Sequence, residues 1–397
     1  MAIVDSLLAE TTIQDEDERG RYRQIVLAWC MCQDSFEDVR ELLKRPDINP
    51  NFWNDRYTDS TPLVWAARNV KEHECAELLM ARDDIQINFQ GDDGVTALLA
   101  AVGSGNEKMT RMLLARHDLD VNLQHKKKGF TALMAAVGLE QLAMVELLCT
   151  CKSIDVNLQH KLGFTALMIA VALNHLAMAE LLCAFKSVDV NLKDFQGSTA
   201  LNYAAAFGHS PMVDLLLARG DIELNSEDKH GRTALSNAAI FNRPAILRSL
   251  LAVSDVNKNT EDINGRTPLA LAARRGHKDA INVLLSTTGV DVNTKDKNDR
   301  TALSLAAKRG HKDVVEALIT AADIDLNSRD KHGRTPLSWA EKKGHQELVE
   351  TLLTAGGVVG TDLDNEAELT DSSEESVLRI DYESLAEESE LSPDEAD

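Results

Sequence analysis

Apolar and polar positions along this chain recur with a period of about 34 residues. The phrase Thr-Pro/Ala-Leu, followed two residues later by Ala-Ala or Ala-Val, begins at Thr61, Thr96, Thr131, Thr165, Thr199, Thr233, Thr267, Thr301 and Thr335. The first two intervals are 35 residues long and the other six are 34. A fixed period of this size predicts stacked supersecondary units rather than one globular core.

Residues 267–299 give the clearest reading of one unit. Leu269, Ala272 and Ala273 fall on one face of a short helix, and Gly276 is expected to end it because glycine adopts the left-handed conformation without a clash. The apolar face of a second helix comes from Ala280, Ile281, Val283, Leu284 and Leu285. A polar turn, usually with glycine, then leads to the next threonine, which can cap the following helix.

From about residue 22 to 357 this pattern resembles the ankyrin-repeat family. Its recurring residues also resemble those of the long ankyrin arrays that are common in fungi. The resemblance implies an all-α, elongated solenoid of about ten antiparallel helix pairs, each followed by a β-turn finger. Family repeats often carry His after Thr-Pro-Leu. Here that place holds Val64, Leu99, Met134, Met168, Asn202, Ser236, Ala270, Ser304 and Ser338. Ser and Asn are therefore expected to replace the histidine bonds in part.

The repeat boundaries predict four segments. Residues 1–21 form an acidic lead, and residues 22–60 form a degenerate N-terminal capping repeat in which Ile25 replaces the threonine. Residues 61–357 form nine repeats, and residues 358–397 form an acidic tail. A terminal repeat is expected to be atypical because one of its faces has no neighbour.

The tail differs from the array in composition. Residues 361–397 hold 15 acidic residues and one basic residue, Arg379, and carry a net charge of −14 out of −22 for the whole chain. This composition predicts disorder, since the segment has too little apolar surface to offset chain entropy. Candidate phosphorylation sites are Ser372, Ser384, Ser389 and Ser392. A merely solubilising tail is the alternative.

Motifs for catalysis or metal binding are missing from the sequence. Histidines recur at the spacing of the repeat, which favours a structural role, and Cys30-x-Cys32 and Cys149-x-Cys151 lack the second pair of a zinc site. We therefore expect no enzyme activity, no cofactor and no metal. The six cysteines, the missing secretory signal and the missing apolar run of about 18–20 residues predict an intracellular protein, cytoplasmic or nuclear, that is neither secreted nor embedded in a membrane.

The resemblance implies that partners contact the fingers and the two residues before the Gly-His turn, which line the concave side. The apolar candidates are Leu139, Leu173, Phe207, Ile240 and Phe241, and the cationic candidates are Arg274, Arg275, Lys308, Arg309, Lys342 and Lys343. Arg232, Arg266, Arg300 and Arg334 are predicted to add to the basic end. The structural alternatives are that the cations complement helix dipoles and that the apolar residues pack between units.

These features favour a scaffold or adaptor without enzyme activity that binds a protein, such as an amphipathic peptide with an acidic flank. The acidic tail is a candidate competitor that folds back into the same groove. A regulator of transcription, and a detached ankyrin array that acts with a separate enzyme or receptor, are the alternatives. The net charge of −22 disfavours nucleic acid as a partner because it repels phosphate.

Overall fold

The computed structural model of the protein describes residues 16–33, 35–46, 48–52, 60–70, 73–91 and 94–361. These residues form 20 helices and no strand, which confirms the all-α prediction. They divide into two compact units, residues 16–169 and residues 170–361, and each is described by itself. The predicted phosphorylation sites Ser372, Ser384, Ser389 and Ser392, and the predicted tail beyond residue 361, lie outside the described residues.

Helices in the first unit alternate between the two positions of the repeat. They are α1 (Glu16–Cys32), α2 (Phe36–Leu43), α3 (Pro62–Arg68), α4 (Glu74–Met80), α5 (Ala97–Gly103), α6 (Glu107–Leu114), α7 (Ala132–Gly138) and α8 (Leu142–Cys149), and the unit boundary falls inside α9 (Ala166–Ala172). Helix α1 begins at Glu16, six residues before the predicted start of the capping repeat. The described part of the predicted lead is therefore helical.

Helices in the second unit continue the same alternation. They are α10 (Leu176–Cys183), α11 (Ala200–Phe207), α12 (Ser210–Leu217), α13 (Ala234–Ile240), α14 (Pro244–Leu251), α15 (Pro268–Arg275), α16 (Lys278–Leu285), α17 (Ala302–Arg309), α18 (Lys312–Leu318), α19 (Pro336–Lys343) and α20 (Gln346–Thr354). The odd-numbered helices α11 to α19 pack one upon the next, and so do the even-numbered helices α10 to α20. The unit is therefore built of two helical layers.

Local sequence signals set both ends of the first helix of a repeat, as α15 shows. The Thr267 hydroxyl accepts a hydrogen bond from the Ala270 N–H at 3.3 Å, and Pro268 occupies the first turn, where its missing N–H costs nothing. Gly276 ends α15 with a φ of 79°, as predicted from its position. Ala272 and Ala273 are fully buried, so the small side chains allow neighbouring helices to approach closely.

Each finger of the second unit is closed by an aspartate at its first position. In the finger of residues 262–266, Asp262 Oδ1 accepts hydrogen bonds from the N–H groups of Asn264 at 2.8 Å and Arg266 at 2.9 Å. The tip then joins the preceding finger, since the Ile263 N–H donates to the His230 carbonyl at 2.9 Å. Backbone bonds of this kind tie the fingers of the second unit into a row.

The array continues beyond its predicted end at residue 357. Residues 358–361 are ordered against the last unit, where the Val358 N–H donates to Asn327 Oδ1 at 2.8 Å and the Gly360 N–H donates to Ser338 Oγ at 2.7 Å. The predicted boundary is therefore early by four residues. The sequence Val-Val-Gly-Thr at 358–361 carries no repeat phrase that would have indicated this.

Candidate functional site

In the second unit the C-terminal ends of the odd-numbered helices form a row. Helix α11 ends at Phe207, α13 at Ile240, α15 at Arg275, α17 at Arg309 and α19 at Lys343. Because each of these helices packs on the next, their last turns lie in successive layers of one face. We call the residues at these ends the helix-end row, which consists of Phe207, Phe241, Arg274, Arg275, Lys308, Arg309, Lys342 and Lys343.

The C-terminal half of the row is cationic. Helices α15, α17 and α19 each carry two basic residues in the last turn, where a positive charge is stabilised by the carbonyl end of the helix. Lys342 and Lys343 are exposed, whereas Arg274 and Arg275 are half-buried. Lys308 Nζ lies 4.5 Å from the centroid of the Trp339 ring, which holds this cation in a fixed position.

Ile240, which the sequence predicted to line the groove, is buried and is not part of the row. Ile240 is only 4 % exposed, and Ala206, at the equivalent position one layer earlier, is 2 % exposed. At the same position in the later layers, Arg274 is half-buried and Lys342 is exposed. We therefore correct the prediction for Ile240, whose side chain is part of the core.

Phe207 and Phe241 remain half-buried on the row. The Phe207 ring centroid lies 5.9 Å from that of Tyr203 and 5.8 Å from that of His209, so packing within the unit accounts for part of its burial. Leu173 is half-buried in the same unit. Leu139 is half-buried in the first unit and is described there by itself.

Histidines in the turns after these helices form hydrogen bonds with the last turn of the helix in the preceding layer of the row. His277 Nε2 lies 2.9 Å from the Ile240 carbonyl oxygen, and His311 Nε2 lies 3.1 Å from that of Arg274. In the tautomer with a proton on Nε2, each ring donates to the last turn of the preceding first helix. Burial lowers the pKa of His277 and His311, and the charges of Arg275 and Arg309 lower it further.

The four arginines that precede a repeat threonine are not surface cations, contrary to the prediction. Arg232, Arg266, Arg300 and Arg334 are all buried. Arg266 Nη2 lies 2.8 Å from Asp262 Oδ2, and the same bridge recurs at 2.8 Å between Arg300 and Asp296. Arg266 and Arg300 thus hold their fingers from inside, and none of the four arginines is an exposed cation.

A ladder of asparagines, which was not predicted from the sequence, also joins the repeats. Asn259 Nδ2 donates to the Gly289 carbonyl at 2.8 Å, and its Oδ1 accepts from the Asp291 N–H at 2.9 Å. In the second unit, Asn191, Asn225, Asn293 and Asn327 make the same pair of contacts with the next stretch of chain. The signal was their spacing of 34 residues, which matches the spacing of the threonines.

Buried thiols offer little chemistry. Burial raises the pKa of Cys30 and of Cys149 to about 11 and also raises that of Cys183, so these groups stay protonated and unreactive at neutral pH. Cys30, Cys75, Cys149, Cys151 and Cys183 form no disulfide. Across the part of the chain that the structure describes, no group of three or more His, Cys, Asp or Glu side chains is placed to hold a metal ion.

None of the helices that the structure describes combines the length and the apolar character that crossing a bilayer requires.

Comparison with known families gives four matches to the family model described as Ankyrin repeats (3 copies), at residues 83–160, 151–228, 220–296 and 288–365. A comparison with curated proteins gives no significant match. The matched region contains the helix pairs from α5–α6 to α19–α20, whereas α1–α2 and α3–α4 precede it. The prediction of about ten ankyrin units is therefore higher than the family match supports.

Ankyrin repeats generally mediate protein–protein interaction. Together the matches run from residue 83 to residue 365, which is well over half of the 397 residues. The chain therefore belongs to the ankyrin-repeat family.

Proposed function

We propose that this chain is an interaction protein without enzyme activity, a scaffold or adaptor that binds a protein partner on the helix-end row of the second unit. The observation that carries the proposal is the set of six cations at the ends of α15, α17 and α19. Bonds from His277 and His311 position the preceding layers, so these charges are presented by a rigid scaffold. A preorganised surface loses less entropy when a ligand binds.

The partner that fits this row is an amphipathic peptide with an acidic flank. Cations in three successive layers repel one another and would be stabilised by carboxylates of a ligand. Phe241 and Phe207, respectively one and two layers before Arg275, supply partly exposed aromatic surface for an apolar part of the same ligand. Cys30, Cys75, Cys149, Cys151 and Cys183 form no disulfide, which supports a reducing intracellular compartment for this interaction.

The test is affinity capture from cell extract with the full chain, followed by quantitative mass spectrometry. The variant Arg275→Glu/Arg309→Glu/Lys343→Glu reverses one charge in each cationic layer. The matched control, Lys186→Glu/Arg248→Glu/Lys278→Glu, reverses three exposed charges of the same unit away from the row. We expect the row variant to lose partners that the wild type and the control retain, with acidic segments over-represented in the lost partners.

Identical sets of captured proteins from both variants would reject the row as the binding surface. The identity of the lost partners separates the alternative functions. Transcription factors among them would favour a regulator of transcription, and a single enzyme or receptor subunit would favour an array that acts with a separate catalytic chain.

A further inference from the structure

The stretch that follows α20 takes the place of a further repeat. In the array, the Asp325 N–H donates to Asn293 Oδ1 at 2.8 Å, a bond from one repeat to the asparagine of the repeat before it. At the last repeat the Val358 N–H makes this bond with Asn327 Oδ1, also at 2.8 Å. The Thr335 hydroxyl then donates to the Val358 carbonyl at 2.6 Å. The backbone of Val358 therefore makes, with the last repeat, hydrogen bonds that a following repeat would otherwise make.

This segment runs onto the last finger. A Cβ added to Gly265 would lie 3.0 Å from the backbone nitrogen of Lys297, the tip of the next finger. A Cβ added to Gly333 would lie 2.6 Å from the carbonyl oxygen of Thr361. Thr361 thus covers the last finger as each finger tip covers the one before. Thr361, the last described residue, therefore lies at the finger edge.

The last two fingers are the cationic ones. Lys295, Lys297, Arg329 and Lys331 are all exposed, and Lys295 Nζ donates to the Arg329 carbonyl at 3.4 Å, which links the two fingers. Asp296 and Asp330 in the same fingers are buried. We call Lys295, Lys297, Arg329 and Lys331 the finger cation cluster.

Earlier fingers of this unit carry at most one exposed cation each, as Lys193 does in the first of them. In the finger of residues 227–231 the exposed Lys229 is balanced by the exposed Glu227, and in the next finger the exposed residues are Glu261 and Ile263. The positive charge is therefore concentrated where the chain leaves the last repeat.

The sequence after Thr361 matches this cluster in sign and spacing. Acidic residues stand at every second position, at Asp362, Asp364, Glu366 and Glu368. In an extended segment, alternate side chains lie on the same side, so all four carboxylates would face one way. Seven extended residues span about 23 Å, enough to cross two helical layers that are about 8–10 Å apart.

We propose that residues 362–368 bind back onto the finger cation cluster of the same molecule, in continuation of the path that residues 358–361 begin. The four carboxylates pair with Lys295, Lys297, Arg329 and Lys331 at the surface. Each exposed pair is weak, but the segment starts beside its site, so its effective concentration is on the order of millimolar. The chain thereby covers its own finger cations, and a partner that uses them must displace the segment.

Lysine acylation with an acetyl N-hydroxysuccinimide ester, read by mass spectrometry on the full chain, tests the proposal. The variant Asp362→Asn/Asp364→Asn/Glu366→Gln/Glu368→Gln removes the four charges with little change of shape. The control Glu383→Gln/Glu387→Gln/Glu388→Gln/Glu390→Gln removes the same charge farther along the chain. Lys229, on an earlier finger, serves as the internal reference.

We expect the proximal variant to raise the acylation rates of Lys295, Lys297 and Lys331 about fivefold relative to Lys229, because loss of docking exposes these amines. The distal control is expected to leave the ratios unchanged, and high salt is expected to reproduce the effect of the proximal variant in the wild type. Zero-length carbodiimide coupling should join the carboxylates of 362–368 to the same lysines.

Three outcomes would overturn the proposal. Equal acylation of wild type and proximal variant would show that the segment does not cover the cluster. An equal rise of the acylation rates in the proximal and distal variants would show that the effect comes from net charge and not from docking of the segment. Protection that disappears on dilution would assign the site to a second copy of the chain. None of these outcomes depends on whether the helix-end row binds a partner.

Discussion

Arg266 and Asp262 form an ion pair that is closed off from solvent, with Nη2 at 2.8 Å and Nε at 3.0 Å from Oδ2 and with side chains 2 % and 1 % exposed. A charge left alone at such a site has no water to solvate it. We expect Arg266→Met to lower the free energy of unfolding by about 3 kcal/mol, since removal of one partner leaves the buried carboxylate uncompensated. Urea unfolding followed by circular dichroism measures the change.

A surface pair supplies the control for Arg266→Met. Lys312 and Glu347 lie 2.9 Å apart, but their side chains are 47 % and 77 % exposed. Lys312→Met is expected to leave the unfolding curve unchanged, because water screens exposed pairs. Similar losses in the two variants would contradict a special role for the buried pair in the finger.

Asn259 tests the asparagine ladder. Its side chain makes one hydrogen bond to the Gly289 carbonyl and one to the Asp291 N–H. Asn259→Ala removes both and is expected to cost about 1–2 kcal/mol of unfolding free energy. Hydrogen exchange should also rise across the adjoining repeat. Asn282→Ala, on the exposed face of α16, is the matched control and should have little effect.

The turn histidines predict a pH dependence between neutral and mildly acidic solution. Burial lowers the pKa of His209, His277 and His311 in the folded chain below the unfolded value of about 6.5. As pH falls below about 6.5 the unfolded state takes up protons that the folded state does not, so stability decreases until the folded pKa is passed. Above about 6.5 this contribution to stability is fully present.

Urea midpoints at pH 7.5 and pH 5.5 measure this dependence. The double variant His277→Gln/His311→Gln should show a smaller drop between the two pH values than the wild type, because glutamine does not titrate. If the two proteins lose stability equally over this range, other groups are responsible and the assignment to the turn histidines is wrong.

The sequence predicted those features that local signals specify. The threonine caps and Gly276 act on backbone within a few residues, so the spacing of Thr267 and Gly276 was enough to predict α15. The helix-end row followed because equal positions in a repeat occupy equal places in the layers. The burial of each residue in a pair was harder to predict, because Ile240 is buried whereas its neighbour Phe241 is only half-buried.

The prediction of surface cations was wrong for arginines that form an ion pair with an aspartate of the same finger. Arg266 and Arg300 were read as surface cations although an aspartate stands four residues before each, at Asp262 and Asp296. The recurrence of that pair at the repeat period was the available signal. The ordered stretch at 358–361 could not have been predicted this way, because it takes the path of a repeat without its sequence.

Asp299 stands where the other fingers of this unit have glycine, and its backbone has a φ of 59°. Aspartate tolerates this left-handed conformation better than most residues, but glycine adopts it without the clash of a Cβ. Asp299→Gly is therefore expected to raise the free energy of unfolding by about 0.5–1 kcal/mol, which the urea midpoint reports.

Two further variants separate the effect of the backbone conformation at residue 299 from the effect of losing its negative charge. Gly265 has a φ of 74°, and a Cβ there would lie 3.0 Å from the Lys297 backbone nitrogen, so Gly265→Asp should destabilise the chain. Asp279→Gly removes an exposed carboxylate from the first turn of α16 and should destabilise the chain, because glycine is a weak helix former and a negative charge is favourable at this end of a helix. Stabilisation by Asp279→Gly as well would mean that lost negative charge, and not relief at a positive φ, explains the effect at residue 299.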